Sequence, residues 1–146
     1  MLNKEAHLNH INYLTTLSGY IHWKLTGEKV VGVSDASGMF PVDTCTNSYH
    51  STMIERFKQL PLSKTCPWSI ENILPETLVA VMKTDRLTKE GALLLDPSGT
   101  LLSDISLCPP EEDAGTGMVT TNTLKESTGN LSAGTFIFSK LFLSKN

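Results

Sequence analysis

Between Ala6 and Leu25 the apolar residues Leu8, Ile11, Leu14, Leu17, Ile21 and Leu25 recur at the spacing of one helix face. The pattern predicts an amphipathic helix that ends at Thr26-Gly27. There a glycine can take the left-handed conformation at little steric cost, and Lys24 complements the negative helix end. Val30 to Val33 predicts a short extended piece. SDASG, Ser34 to Gly38, reads as a turn, and Met39 to Val42 as a strand interrupted at its edge by Pro41. A second helix is predicted over Asn47 to Leu60, with Met53, Ile54, Phe57 and Leu60 on its apolar face and Pro61 as its stop. PWSIENILP, Pro67 to Pro75, reads as a proline-bounded helical turn.

The second half alternates more quickly. A helix is predicted over Thr88 to Leu95, a DPSG turn at Asp96 to Gly99, and strand-like residues up to Leu107. Pro109-Pro110 ends that strand, Asp113 to Leu124 can form a helix, and Gly129 to Leu143 reads as two strands folded on one another near Gly134. Alternating helices and strands without an internal repeat predict an α/β or α+β domain.

Composition narrows the class. With 146 residues, 40% hydrophobic and 18% charged, the chain has enough apolar surface for a core without metal or disulfide staples. Cys45, Cys66 and Cys108 are odd in number and lack CxxC spacing, which favours reduced thiols and a cytoplasmic setting. MLNKEAHLNHIN carries no apolar leader core, and no run of eighteen apolar residues occurs, so no membrane role is expected. A net charge of −3 with dispersed lysines and arginines gives no footprint for nucleic acid.

Few residues offer chemistry. His7 and His10 have metal-like spacing, but nothing in sequence completes a site, and a solvated pair is favoured. His22 and His50 lack a recognisable partner and read as packing or surface residues. Trp68 reads as a core or hinge aromatic, and Cys108, with no base nearby, as a buried thiol. Asp113 has two readings. It follows Pro-Pro-Glu-Glu and precedes a small-residue helix, so it is a natural N-cap; equally, it sets a carboxylate at a strand end where a bound hydroxyl could reach it, with Gly115 and Gly117 leaving room. Gly134-Thr135 is either a plain hairpin bend or a loop whose amides and hydroxyl hold a phosphate oxygen. No GxxxxGK[ST] loop occurs.

Six blocks in order, GYIHWKLTGE, SDASGMFPVD, PWSIENILP, LTKEGALLLDPSGTL, LCPPEEDAGTGMVTTN and STGNLSAGTFIF, resemble part of the FGGY family of carbohydrate kinases, its xylulokinase-like members above all. The resemblance runs from about Leu14 to Phe138 and covers the second part of that family's N-terminal domain. It implies a partial ribonuclease-H-like domain of the actin-like ATPase type over residues 1–146. It also implies ATP-dependent phosphorylation of a sugar or polyol hydroxyl, a ketopentose or a relative, with Mg2+ as the companion ion. Asp113 then corresponds to the catalytic base that also orients the sugar, and Gly134 and Thr135 to the Gly-Thr of a phosphate loop. The glycines around Asp113 would leave room for sugar and phosphoryl group.

The chain also departs from that pattern. Glu112 stands where the family has glycine, Phe136 where it has serine, and Ala114 where some members carry a sugar-binding amide. A carboxylate beside Asp113 would repel phosphate, and Phe136 removes a hydroxyl donor. The 146 residues contain neither an Asp-x-Gly-Thr loop nor the adenosine-binding C-terminal domain. The expectation is an incomplete kinase segment that binds neither ATP nor Mg2+ tightly. An alternative is a non-catalytic remnant or a small interaction module that pairs its uncovered surface with itself, as a homo-oligomer, or with another kinase fragment.

Overall fold

The computed structural model describes residues 6–79, 85–121, 125–134 and 137–142. They form two compact units, Met1–Pro110 and Glu111–Asn146, of mixed α/β character.

In the first unit, β1 (Val30–Gly32) is buried along its whole length and pairs in parallel with β4 (Glu76–Leu78), Val30 opposite Glu76 and Gly32 opposite Leu78. Parallel strands need a long crossover. Here it consists of α2 (Val33–Met39), the antiparallel ribbon of β2 (Val42–Asp43) and β3 (Ser48–Tyr49), α3 (Ser51–Gln59) and α4 (Ile70–Ile73). One apolar centre lies within this crossover: Ile54, Ile70 and Ile73 are buried, with Ile11, Phe40, Phe57 and Trp68 packed around them. The Trp68 Nε1–H donates to the Leu8 carbonyl at 2.9 Å, which satisfies the polar tip of a core aromatic.

The long helix expected over Ala6 to Leu25 is broken in two. A 3₁₀ turn covers Ala6–His10, an extended stretch follows, and α1 occupies Leu17–Thr26. Two bonds explain the break. The Leu14 amide donates to the Ile73 carbonyl at 2.7 Å, drawing the chain out of helical geometry. Thr16 is extended and accepts the Gly19 amide at 3.1 Å, which makes it the N-cap of α1. The other end is as expected: Gly27 sits at φ +83°, and its amide donates to the Trp23 carbonyl.

SDASG is helical rather than a turn, because Asp35 in the first turn of α2 accepts the Thr16 and Ser18 hydroxyls at 2.7 and 2.5 Å. Two helix starts are thereby fastened to one carboxylate, and Ala36 is fully buried behind them. The helix expected from Asn47 begins only at Ser51. Asn47 is left-handed at φ +54°, and Ser48 and Tyr49 pair with Asp43 and Val42.

Beyond the crossover, β5 (Asp85–Arg86) pairs antiparallel with β6 (Ser106–Leu107), a much shorter strand than the apolar run predicted. Between them α5 (Lys89–Leu95) is capped by Thr88, which accepts the Gly91 amide at 2.9 Å; its own amide and hydroxyl both donate to the Leu25 carbonyl at 3.0 Å. The start of α5 is thus fixed to the end of α1. The DPSG turn closes on Asp96, whose carboxylate accepts the Ser98 and Thr100 hydroxyls and the Ser98, Thr100 and Leu101 amides. These donors hold its carboxyl well below the usual carboxylate range, hydroxyls first.

The second unit comprises α6 (Asp113–Thr120) and a hairpin of β7 (Thr128–Ala133) and β8 (Ile137–Phe142), in register from Thr128 opposite Phe142 to Ala133 opposite Ile137. The predicted hairpin with its bend near Gly134 is present. The expected helix end, at 122–124, lies outside the described residues.

Candidate functional site

Asp113 opens α6 as its first helical residue, exposed to solvent. It is not the N-cap. That position belongs to Glu112, extended at φ −66° and ψ 139°, which caps no helix amide with its side chain. An acidic residue in the first turn still suits the positive helix end. The Glu112 carbonyl accepts both the Thr116 amide at 3.1 Å and its hydroxyl at 3.0 Å.

Glu112, half-buried, has its carboxylate 3.7 Å from the Lys140 ammonium on β8. The carboxylate expected to repel phosphate beside Asp113 is therefore partly compensated by a lysine 28 positions further along the chain, which no local pattern announces. A second tie joins the other end of α6 to the hairpin: Asn130 Nδ2 donates to the Thr121 hydroxyl at 3.1 Å, and Thr121 closes α6 on the Gly117 carbonyl. Asn130 and Lys140 face each other in the hairpin register, so both ties reach the same level of the ribbon.

Gly134 begins the bend and is exposed, and among the described residues none stands within 4 Å of where a Cβ would be. Thr135 and Phe136, which complete the loop, lie outside the described residues. From the Asn130–Lys140 level to the Ala133–Ile137 pair is roughly 10 Å of strand. The unit thus presents a carboxylate at a helix start and a small-residue bend farther along the same ribbon. A carboxylate so placed can accept a proton, and the Gly134 amide can donate a hydrogen bond.

Residues set aside on sequence grounds fall elsewhere. His22 has a partner after all: Nε2 lies 2.8 Å from Asp85 Oδ2, both side chains buried, linking α1 to β5. Their separation along the chain hid the pair. His50 precedes α3, and among the described residues its Nδ1 is buried without a hydrogen-bond partner, as is the Tyr49 hydroxyl. Burial pushes the Tyr13 and Tyr49 phenols up, and the nearby Tyr13 and Asp35 push Tyr49 in the same direction. Cys108, expected to be a buried thiol, is exposed: it follows half-buried Leu107 and precedes buried Pro109, so it takes the outward place in an extended alternation. His7 and His10 share the first 3₁₀ turn, and among the described residues no group of three or more His, Cys, Asp or Glu side chains converges as a metal site. Also among the described residues, no helix is long and apolar enough to cross a membrane. No protein-family model matches the chain, and no curated protein matches it.

Proposed function

We propose that the chain carries the acceptor-side part of a phosphoryl-transfer site, within a partial ribonuclease-H-like domain, for ATP-dependent phosphorylation of a sugar or polyol hydroxyl. The observation that carries this reading is the exposed Asp113 carboxylate on the first turn of α6, in the same unit as the Gly134 bend. The parallel β1–β4 pair and its long crossover are compatible with the α/β class of that reading. In the reaction, Asp113 accepts the proton of the attacking hydroxyl as its oxygen bonds to the γ-phosphorus and ADP departs. Amides at Gly134 and the Thr135 hydroxyl donate to the phosphate oxygens as charge builds on them. Such a base supplies about 10²–10⁴-fold, so positioning by the rest of the site carries the remainder. In this reading Asp113 acts on the hydroxyl proton.

Two measurements test the reading. The 146-residue polypeptide by itself is expected to show no ATP-dependent ADP release with xylulose, ribulose or related polyols. Turnover of about 1–100 s⁻¹ would show that it is self-sufficient. Grafted in place of the matching stretch of an active FGGY kinase, residues 111–146 should give low activity that Asp113→Asn reduces by a further 10²-fold or more, on the order expected for a lost general base. An indifferent Asp113→Asn would remove the base from the mechanism.

A second reading has its own observation. Leu131, Ile137 and Leu141, 68–73% exposed, stand on one face of the hairpin, flanked by Gly129, Ala133 and Ser139. Such a face favours self-association. Sedimentation should show a mass that rises with concentration and falls to that of a monomer with Leu131→Lys and Ile137→Lys combined. A monomer at every concentration would exclude this reading.

A further inference from the structure

Lys29, exposed just before β1, lays its ammonium over two aromatic faces, 4.9 Å from the Tyr13 ring centroid and 4.6 Å from that of Trp23. The two rings meet nearly edge to face, centroids 5.6 Å apart and planes at 74°, and so make two walls of a corner. Tyr20, one helical turn before Trp23 on α1, backs the indole at 6.1 Å and 82°. Local structure builds this corner. Tyr13 lies in the extended stretch that precedes α1, and Trp23 sits near the end of α1. The left-handed Gly27 turns the chain back, and the Lys29 carbonyl is fixed by the Glu76 amide at 3.3 Å. Among the described residues no ion pair joins Lys29 to a carboxylate. The aromatic faces are its counter-charge, through the negative face of each ring quadrupole.

We propose that the Tyr13–Trp23 corner is a recognition site for a quaternary or methylated ammonium group, and that Lys29 is its tethered occupant, closing it in cis. The chemistry favours such a ligand over the lysine. A primary ammonium is compact and strongly hydrated, and it surrenders water to lie on a ring. A methylated ammonium has little bound water to lose and covers both walls with polarised methyl groups. Trp23 is the stronger wall, because indole is the best cation acceptor of the aromatic side chains. An exposed lysine stem can swing away, so the site opens without rearranging β1 or α1. The site is separate from the phosphoryl-transfer reading and stands or falls without it.

The test uses tetramethylammonium chloride on the full chain, wild type and Lys29→Ala, with the indole N–H resonances read by NMR. Trp68, whose N–H is bonded to the Leu8 carbonyl at 2.9 Å, serves as the internal control. In Lys29→Ala the Trp23 signal should shift saturably while Trp68 stays still. Wild type should need about 5-fold more probe or more, because the tethered ammonium must leave two exposed ring faces before the probe can enter. Tyr13→Ala added to Lys29→Ala should abolish the shift, and tert-butanol, an uncharged probe of similar shape, should give none. If the alanine disturbs β1, Lys29→Met keeps the apolar stem without the charge and should give the same titration. The proposal is overturned if Trp23 does not respond in a folded Lys29→Met protein, if tert-butanol acts equally, or if wild type and variant titrate alike.

Discussion

Among the described residues, every buried side chain belongs to residues 1–110 and none to 111–146. The first unit has apolar burial at Val30, Val31, Ile54 and Ile73, a buried His22–Asp85 pair, and helices capped by Thr16 and Thr88. The second has a short helix and one two-stranded ribbon, a combination too thin to enclose a side chain on both faces; two-stranded hairpins are marginal in isolation. Yet the proposed chemistry, Asp113 and the Gly134 bend, stands on the second. Structure-making and chemistry are thus divided along the chain, and substitutions in the two units should fail in different ways.

The largest effect should come from Gly91→Ala in the first unit. A Cβ there would run into the Leu25 carbonyl and approach the Leu25 Cα to 2.8 Å, and both are backbone atoms that cannot rotate away. Thr88 fixes the same carbonyl from the other side, so α5 cannot slide without losing two hydrogen bonds. We expect a loss of about 3 kcal/mol, the upper range for overpacking. Urea unfolding read by tryptophan fluorescence measures it, since Trp23 and Trp68 both lie in this unit. A loss below about 1 kcal/mol would mean that the α1–α5 junction yields, and that the first unit is less rigid than its bonds imply.

Elements fixed by local chemistry were legible in the sequence: the Gly27 cap, the helix after Thr88, the Asp96 turn and the ribbon around Gly134. Each depends on residues within a few positions of one another. What escaped depends on distant partners. The helix break after His10 needs Ile73, the helicity of SDASG needs Thr16 and Ser18, and the burial of His22 needs Asp85. At the site, the sequence marked Asp113 and Gly134 but put the cap one residue late, and it could not foresee that Lys140 would face Glu112.

A smaller effect, visible only in acid, should come from Asp96. Its carboxyl titrates below the unfolded value, so it contributes stability above roughly pH 4, the unfolded carboxylate range, and that contribution is lost as pH falls toward its depressed folded value. Melting temperatures measured from neutral pH down to strong acid should fall less steeply in Asp96→Ala than in wild type below that point, from a lower neutral start. Parallel acid limbs in the two proteins would show that the ring of donors around Asp96 leaves its titration unchanged. The turn belongs to the first unit, so the second unit's ribbon should be indifferent to it.

The smallest effect is also the sharpest contrast with Gly91. Gly117 lies inside α6, and among the described residues nothing outside the helix's own backbone comes within 4 Å of where a Cβ would stand. Glycine in a helix interior costs about 0.5–1 kcal/mol relative to alanine, through the backbone freedom it loses on folding. Gly117→Ala should therefore stabilise α6 by about that amount, the opposite sign to Gly91→Ala. In the proposed reading, the space at Gly117 is where a ligand would approach the face behind Asp113. Helical content read by circular dichroism against temperature should rise in Gly117→Ala. In the grafted kinase the same substitution should raise KM for the sugar more than it lowers kcat, because it narrows the approach and leaves the base in place. If Gly117→Ala instead destabilises the chain, the space is already occupied by packing, and the division between a structural first unit and a chemical second unit fails at this helix.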